Sequence, residues 1–189
     1  MIRILTTCML GFGITLSGCA TYSTDECSSG DWNKIGMQDG NDGRTADRFK
    51  QHGKSCKLDR SEESRSLYLA GRQKGLASYC TTVRGYREGA LAQKYNGVCP
   101  AGSAKLFLTG YQLGNRIHQM ELKISNANDA YFEVSQKLQD SSLPEAERVR
   151  LQQEQVRIQG EETRLGAELK RLRIKADTMV REARKQEKP

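Results

Sequence analysis

Residues 113–138 read LGNRIHQMELKISNANDAYFEVSQKL. Apolar side chains recur through them in alternating steps of four and three, at Leu113, Ile117, Met120, Ile124, Ala127, Tyr131, Val134 and Leu138. That spacing is an a/d seam sustained over more than three heptads, the pattern of a helix that packs along another helix. Asp140-Ser-Ser-Leu-Pro144 breaks the seam, and Ser142 with Glu145 offers a capping box for a following helix. Proline is tolerated in a first helical turn because its missing N–H would have had no partner there. The second seam runs Leu151, Gln155, Ile158, Glu162, Leu165, Leu169, Leu172, Ala176, Met179 and Ala183. Its polar members, Gln155 and Glu162, weaken it near the turn or fix its register. A short break between two periodic helices predicts an antiparallel coiled-coil hairpin over residues 104–188. With Ser103 as its cap, the first arm would hold about 34 residues and measure roughly 51 Å. The second arm is longer, so its basic end would project past the first or run beside the preceding domain.

Upstream lies a region of paired glycines, residues 27–115. Gly36 and Gly40 follow Trp32, Gly71 and Gly75 follow Tyr68, Gly110 and Gly114 follow Phe107, and a fourth pair, Gly85 and Gly89, brackets Tyr86. The first, second and last copies stand 35 and 39 residues apart, as in a degenerate repeat. Residues four apart share a helix face, so each pair cuts a notch where another backbone can approach. Glycine costs up to about 1 kcal/mol relative to alanine inside a helix, so the notch needs a compensating contact. The residues between the glycines are polar or charged, which excludes a membrane-spanning Gly-x-x-x-Gly motif. Close packing between short helices is therefore expected, in preference to a ligand groove. Helix boundaries are also legible. Asp31 caps a segment from Trp32 that Gly43 interrupts, and a second segment runs from about Thr45 to near Gly53. Asp59 with Glu62 resembles a capping box for a helix towards Tyr79. Another helix is expected from Tyr86 to Tyr95, closed by Asn96-Gly97 and Pro100. No run alternates with period two for long enough to suggest a strand, so the fold class is all-α.

The N-terminus carries Leu16-Ser17-Gly18-Cys19 behind Arg3 and a largely apolar run from Ile4 to Ile14. This reads as a lipoprotein signal peptide, residues 1–18, with Leu16, Ser17 and Gly18 as the lipobox and Cys19 as the lipidated residue. Residues 19–26 would be the lipid-anchored linker. The apolar run is shorter than the roughly 20 residues that a membrane-spanning helix needs. Cys8 lies inside that run and would be removed with it. Each buried methylene adds about 0.8 kcal/mol, so two or three acyl chains on Cys19 would anchor stably where one would not. The expected location is the bacterial cell envelope. By resemblance to enterobacterial lipoproteins, Ala20 rather than Asp after the cysteine implies the periplasmic, inner face of the outer membrane.

An exported chain with an even number of remaining cysteines, Cys27, Cys56, Cys80 and Cys99, implies two disulfides with three possible connectivities. The sequential pairing, Cys27–Cys56 and Cys80–Cys99, is preferred because each bond would close a short helical hairpin. The rival, a four-thiolate metal site, lacks any Cys-x-x-Cys pair. Disulfides would matter to a chain with 6% aromatic residues and a correspondingly thin core.

These residues carry a family likeness. Glu26-Cys27, Gly30-Asp31-Trp32, Ile35-Gly36 and Asp39-Gly40 open it. Tyr68-Leu-Ala-Gly71-Arg, Gly75-Leu, Tyr79-Cys80, Gly97-Val98-Cys99-Pro100, Phe107-Leu, Tyr111 and Gly114 continue it. The combination resembles the domain-of-unknown-function family 2799 over roughly residues 25–118. Its members are bacterial lipoproteins with a cysteine-containing helical region and often a long helical extension. The resemblance implies a lipoprotein and brings no activity, substrate or catalytic residue with it.

Charge is unevenly spread. Residues 19–115 carry 14 basic and 10 acidic side chains, residues 116–163 carry 6 and 9, and residues 164–189 carry 9 and 4. The last segment, with Lys170, Arg171, Arg173, Lys175, Arg181, Arg184, Lys185 and Lys188, suits an anionic envelope surface. Export removes nucleic acid from the expected partners. Chemistry is sparse. His52 and His118 stand 66 residues apart, near no nucleophile elbow and no His-Glu-x-x-His motif, and both are expected on exposed polar helix faces. Asp31 has a capping role, and Asp39 and Asp42 are expected to be solvated. No Gly-Lys-Ser/Thr phosphate loop follows any glycine pair. No catalytic residue, metal or cofactor is expected, and the chain is not expected to be an enzyme. The leading expectation is a structural or adaptor lipoprotein that contacts the membrane through its lipid and an envelope protein, or a second copy, through its coiled coil. The alternative is a binder of anionic polymer or lipid through the basic end. A wall-modifying enzyme is motivated only by compartment.

Overall fold

A computed structural model describes residues 30–186. Cys19 with its lipobox, Cys27 and Lys188 lie outside the described residues. Among the described residues six helices follow in order: α1 Trp32–Asn41, α2 Arg48–Ser55, α3 Glu62–Tyr79, α4 Thr82–Ala90, α5 Ala101–Leu138 and α6 Glu145–Gln186. No strand occurs among the described residues, and no described helix is long and apolar enough to cross a membrane.

The helix starts follow local side-chain chemistry. Asp31 accepts from the amides of Asn33 and Lys34 and opens α1, and Gly43, with φ of +64°, turns the chain after it. A positive φ there is the left-handed region that glycine enters without penalty. α2 begins at Arg48 rather than near Thr45, after a run of turns whose backbone bonds skip only three residues. The cap of α3 is Ser61, not Asp59. The Ser61 hydroxyl accepts from the Ser64 amide, and Asp59 stands behind it, accepting from the Ser61 amide, the Ser61 hydroxyl and the Ser64 hydroxyl. Those donors hold the Asp59 carboxyl below its ordinary pKa. Thr81 caps α4, which therefore spans Thr82–Ala90 instead of Tyr86–Tyr95. Ala92, with a positive φ of 52°, ends it early.

α5 starts three residues ahead of the expected Ala104. Pro100, extended at ψ 151°, takes the N-cap place with no side-chain cap bond, and its carbonyl accepts from the Ser103 and Ala104 amides. Ser103 donates its hydroxyl back to that same carbonyl and caps nothing. Ser142 does not cap α6 either, since its amide and hydroxyl both donate to Asp140. At 1.5 Å per residue, the 38 residues of α5 and the 42 of α6 make helices of about 57 Å and 63 Å.

Three apolar clusters run along the molecule. Trp32, Ile35, Phe49 and Tyr68 join α1, α2 and α3, and the indole N–H of Trp32 donates to the Asp59 carbonyl at 2.9 Å. Leu76, Tyr79, Cys80, Cys99 and Phe107 join the end of α3 to the start of α5, closed by the Cys80–Cys99 disulfide. Leu113, Ile117, Met120, Leu165, Leu169, Leu172 and Ala176 join α5 to α6, with Tyr86 of α4 packed on them. The basic end of α6 thus returns beside α4. Every residue of the two a/d seams is buried or half-buried. Polar contacts between the two helices pair Gln155 with Ser135, Gln159 with Tyr131 and Glu168 with Arg116, progressively further from the turn.

Candidate functional site

The paired glycines meet in two sets. A β-carbon on Gly36 would fall on the Tyr68 carbonyl oxygen, and one on Gly40 on the Arg72 carbonyl oxygen. In return, one on Gly71 would fall on the Asn33 carbonyl oxygen and one on Gly75 on that of Met37. Each glycine of α1 therefore lies against the carbonyl three residues ahead of its counterpart in α3, and the relation is reciprocal. α4 and α5 repeat it. Gly85 and Gly89 lie against the Phe107 and Tyr111 carbonyls, and Gly110 and Gly114 against those of Thr82 and Tyr86. Only hydrogen at Cα leaves room for backbones this close. The repeat seen in sequence is thus two helix pairs, the first copy with the second and the fourth with the third.

Behind the first glycine set lies a polar cluster that sequence reasoning placed at the surface. Asp39 is 3% exposed and His52 1%, a correction to the solvated aspartate and the exposed histidine expected above. The imidazole Nε2–H of His52 donates to Asp39 Oδ2 at 2.9 Å, and the Tyr68 hydroxyl donates to the same oxygen at 2.7 Å. Arg48 Nε stands 3.7 Å from Oδ1. Three segments far apart in sequence converge on one carboxylate. The cluster is floored by the rings of Trp32, Phe49 and Tyr68, whose centroids lie 4.6 to 6.0 Å apart. Burial, reinforced by the Asp39 carboxylate, pushes the Tyr68 phenol well above its ordinary pKa.

A carboxylate, an imidazole and a hydroxyl in mutual contact have the composition of a catalytic relay. Here all three are sealed: Tyr68 is wholly buried, so no substrate atom can reach its oxygen. What the arrangement can do is fix α1, α2 and α3 relative to one another. A buried charge needs every lone pair occupied, and only one packing of the three helices supplies those donors. A signal for this was present. Asp39 falls on the same face of α1 as Trp32 and Ile35, and His52 stands three residues after Phe49, so both occupy apolar-face positions.

Other sequence-named residues divide clearly. Cys80 and Cys99 are bonded, with Cα atoms 5.5 Å apart, which removes two thiolates from any four-cysteine metal site. Cys56 is disulfide-bonded as well, and Cys27, its expected partner, lies outside the described residues. His118 is half-buried on α5, in a different helix from His52. Asp42 is exposed and accepts from Gln38. No group of three or more His, Cys, Asp or Glu side chains that could hold a metal occurs among the described residues.

Residues 31–116 match the model of a family described as a protein of unknown function (DUF2799). The matched stretch takes in both glycine sets, the buried Asp39 cluster and the Cys80–Cys99 bond. Neither a curated protein nor a solved structure matches the chain.

Proposed function

We propose that a DUF2799 domain serves here as the base of a lipid-anchored envelope lipoprotein, with Cys19 tethered in the membrane and an antiparallel coiled-coil hairpin as its contact arm. The role is structural or adaptor, not enzymatic. The observation that carries the reading is α5 itself: one uninterrupted helix whose start is clasped by α4 through Gly110 and Gly114 and whose continuation pairs with α6. An arm continuous with its base transmits position and force without a hinge. The seam residues and the outward progression of the 135–155, 131–159 and 116–168 pairs support the antiparallel coiled coil. The reciprocal glycine contacts support Gly-x-x-x-Gly packing of the base. Phe132 and Val156, 63% and 68% exposed near the turn, support a protein contact on the arm, because apolar side chains of that size favour a covering surface. The sealed Asp39 cluster supports the absence of catalysis.

The test has two parts. Metabolic labelling with a fatty acid should mark the wild-type chain and fail on Cys19→Ser; equal labelling of both removes the anchor. Photocrosslinkers placed at positions 132 and 156 in living cells should capture one recurrent envelope protein or a second copy. The same groups at exposed positions 63 and 105 of the base should not. Capture that is equal at all four sites removes the arm.

A second reading has its own observation. Lys170, Arg171, Lys175, Arg184 and Lys185 are exposed on α6 and make no ion pair among the described residues, which favours contact with an anionic polymer or lipid surface. Association with purified envelope polymer that weakens as salt rises would support it, and salt-independent association would remove it.

A further inference from the structure

A cleft of about 370 Å³ opens where the two helix pairs of the base meet. One wall is the turn after α1, with Arg44; the other is α4 and the loop beyond it, with Arg84, Arg87 and Lys94; the Tyr79 ring lies between them. Both walls are held by contacts that have nothing to do with a ligand. The Arg72 guanidinium donates twice to the Arg44 carbonyl, at 2.7 and 3.1 Å, and the Tyr111 hydroxyl donates to the Gln93 carbonyl at 2.8 Å. Gly43 sits at a positive φ with the Tyr79 ring where a side chain would be. Arg84 stands over the Tyr79 ring, 5.6 Å from its centroid, and is ion-paired with Glu88 at 2.8 Å.

The charges in this frame do not cancel. Four cations and two carboxylates line it, and Glu88 is already engaged by Arg84. Arg44, Arg87 and Lys94 are exposed and make no ion pair among the described residues. Three cations kept together on rigid walls repel one another, and a multiply charged anion relieves that repulsion better than a single carboxylate can. Guanidinium forks match phosphate oxygens in geometry, and an ammonium adds a point charge beside them. Burial first, and Glu88 second, push the Tyr79 phenol up to about 12, so it remains a neutral group among the cations.

We propose that this cleft binds a phosphate-bearing ligand through Arg44, Arg87 and Lys94, with Arg84 and Tyr79 as its fixed floor. A free phosphate and one carried on a lipid headgroup present the same chemistry to these residues. The site is separate from the basic face of α6 and does not depend on the hairpin having a partner.

Calorimetric titration of the full chain with inorganic pyrophosphate, and flotation with phosphatidic acid vesicles, read the two sources. Saturable pyrophosphate binding that weakens about tenfold or more in Arg87→Gln/Lys94→Gln supports a free phosphate ligand. Vesicle binding lost in that variant, without a pyrophosphate response, supports a headgroup. Lys170→Gln/Lys175→Gln on α6 should leave either response within about twofold, because neither side chain lines the cleft. Circular dichroism of both variants should be unchanged, because none of the four side chains packs in a core. Binding of neither probe overturns the proposal, and so does binding that the α6 variant reduces as much as the cleft variant does.

Discussion

The carbonyl oxygen of Tyr68 occupies the place that a β-carbon at Gly36 would need, and the Asn33 carbonyl stands in the same relation to Gly71. The obstacle is backbone on both sides, so no rotamer change can relieve it. A methyl group at either position forces the helices apart.

Gly36→Ala and Gly75→Ala should therefore destabilise the base by about 1–3 kcal/mol or more, the usual cost of overpacking. That loss comes despite the gain of up to about 1 kcal/mol that alanine brings to a helix interior. Gly102 and Gly166 provide the control, since a β-carbon at either would meet nothing within 4 Å. Alanine there should be neutral or stabilising. Urea midpoints for the four variants decide it, and a midpoint for Gly36→Ala at or above the wild type would end this account of the glycine pairs.

Asp39 supports the second prediction. Its carboxylate accepts from both His52 and Tyr68, with Arg48 nearby, inside a sealed pocket. Asp39→Ala leaves those donors facing a void and should cost about 3–5 kcal/mol. Tyr68→Phe removes one hydrogen bond to a charged group and should cost about 1.5–3 kcal/mol. The double variant should lose less than the sum, because both substitutions act on one network. Additive losses in a double-mutant cycle would mean that Asp39 and Tyr68 do not act together.

How much of this was legible in the sequence depends on distance along the chain. The seam from Leu113 to Leu138, the Asp31 cap and the glycine spacings are local patterns, each enforced within a turn or two of helix, and they appear where the sequence places them. Ser61, Thr81 and Pro100 displaced three expected starts by two to four residues, because several nearby residues could each satisfy the same free amides. The pairing of glycine notches was not legible. Four equivalent notches permit several partnerships, and what selects among them, the Asp39 network across α1, α2 and α3 and the Cys80–Cys99 bond, joins residues far apart along the chain. The Asp39 cluster was missed for a related reason: its members are 13 and 29 residues apart, and periodicity reports which face a residue occupies, not what meets it there.

The disulfide sets a third expectation. Cys80 and Cys99 are 19 residues apart and sit in one cluster with Tyr79 and Phe107. The chain-entropy model assigns a loop of that size about 3 kcal/mol. Cys80→Ala/Cys99→Ala should lose approximately that much, and added reductant should lower the wild-type melting temperature while leaving that pair's contribution in the variant at zero. Because α4 and the loop after it would be freed first, amide exchange should rise at Thr82–Ala90 before it rises in α6. An exchange increase that begins in α6 would show that the bond is not what holds α4 against α5.

Alkaline pH tests the buried phenols. Burial raises the pKa of Tyr68 well above its ordinary value of 10.0, with help from Asp39, and burial with Glu88 raises that of Tyr79 to about 12. A group whose folded pKa exceeds its unfolded value contributes stability that is complete below the unfolded value. That contribution is lost as pH rises through the window between the two. Stability should therefore be level up to about pH 9.5 and fall from about pH 10 upward, where the unfolded phenols ionise and the folded ones do not. Absorbance at the tyrosinate band should rise in two stages. The more exposed tyrosines ionise first, and Tyr68 and Tyr79 follow only as the base opens. Tyr68→Phe should flatten the alkaline decline in stability, and Asp39→Asn should move Tyr68 ionisation to lower pH by removing the charge that opposes it. A single ionisation step near pH 10, with no change in secondary structure, would show that both rings reach solvent and that the base is open rather than sealed.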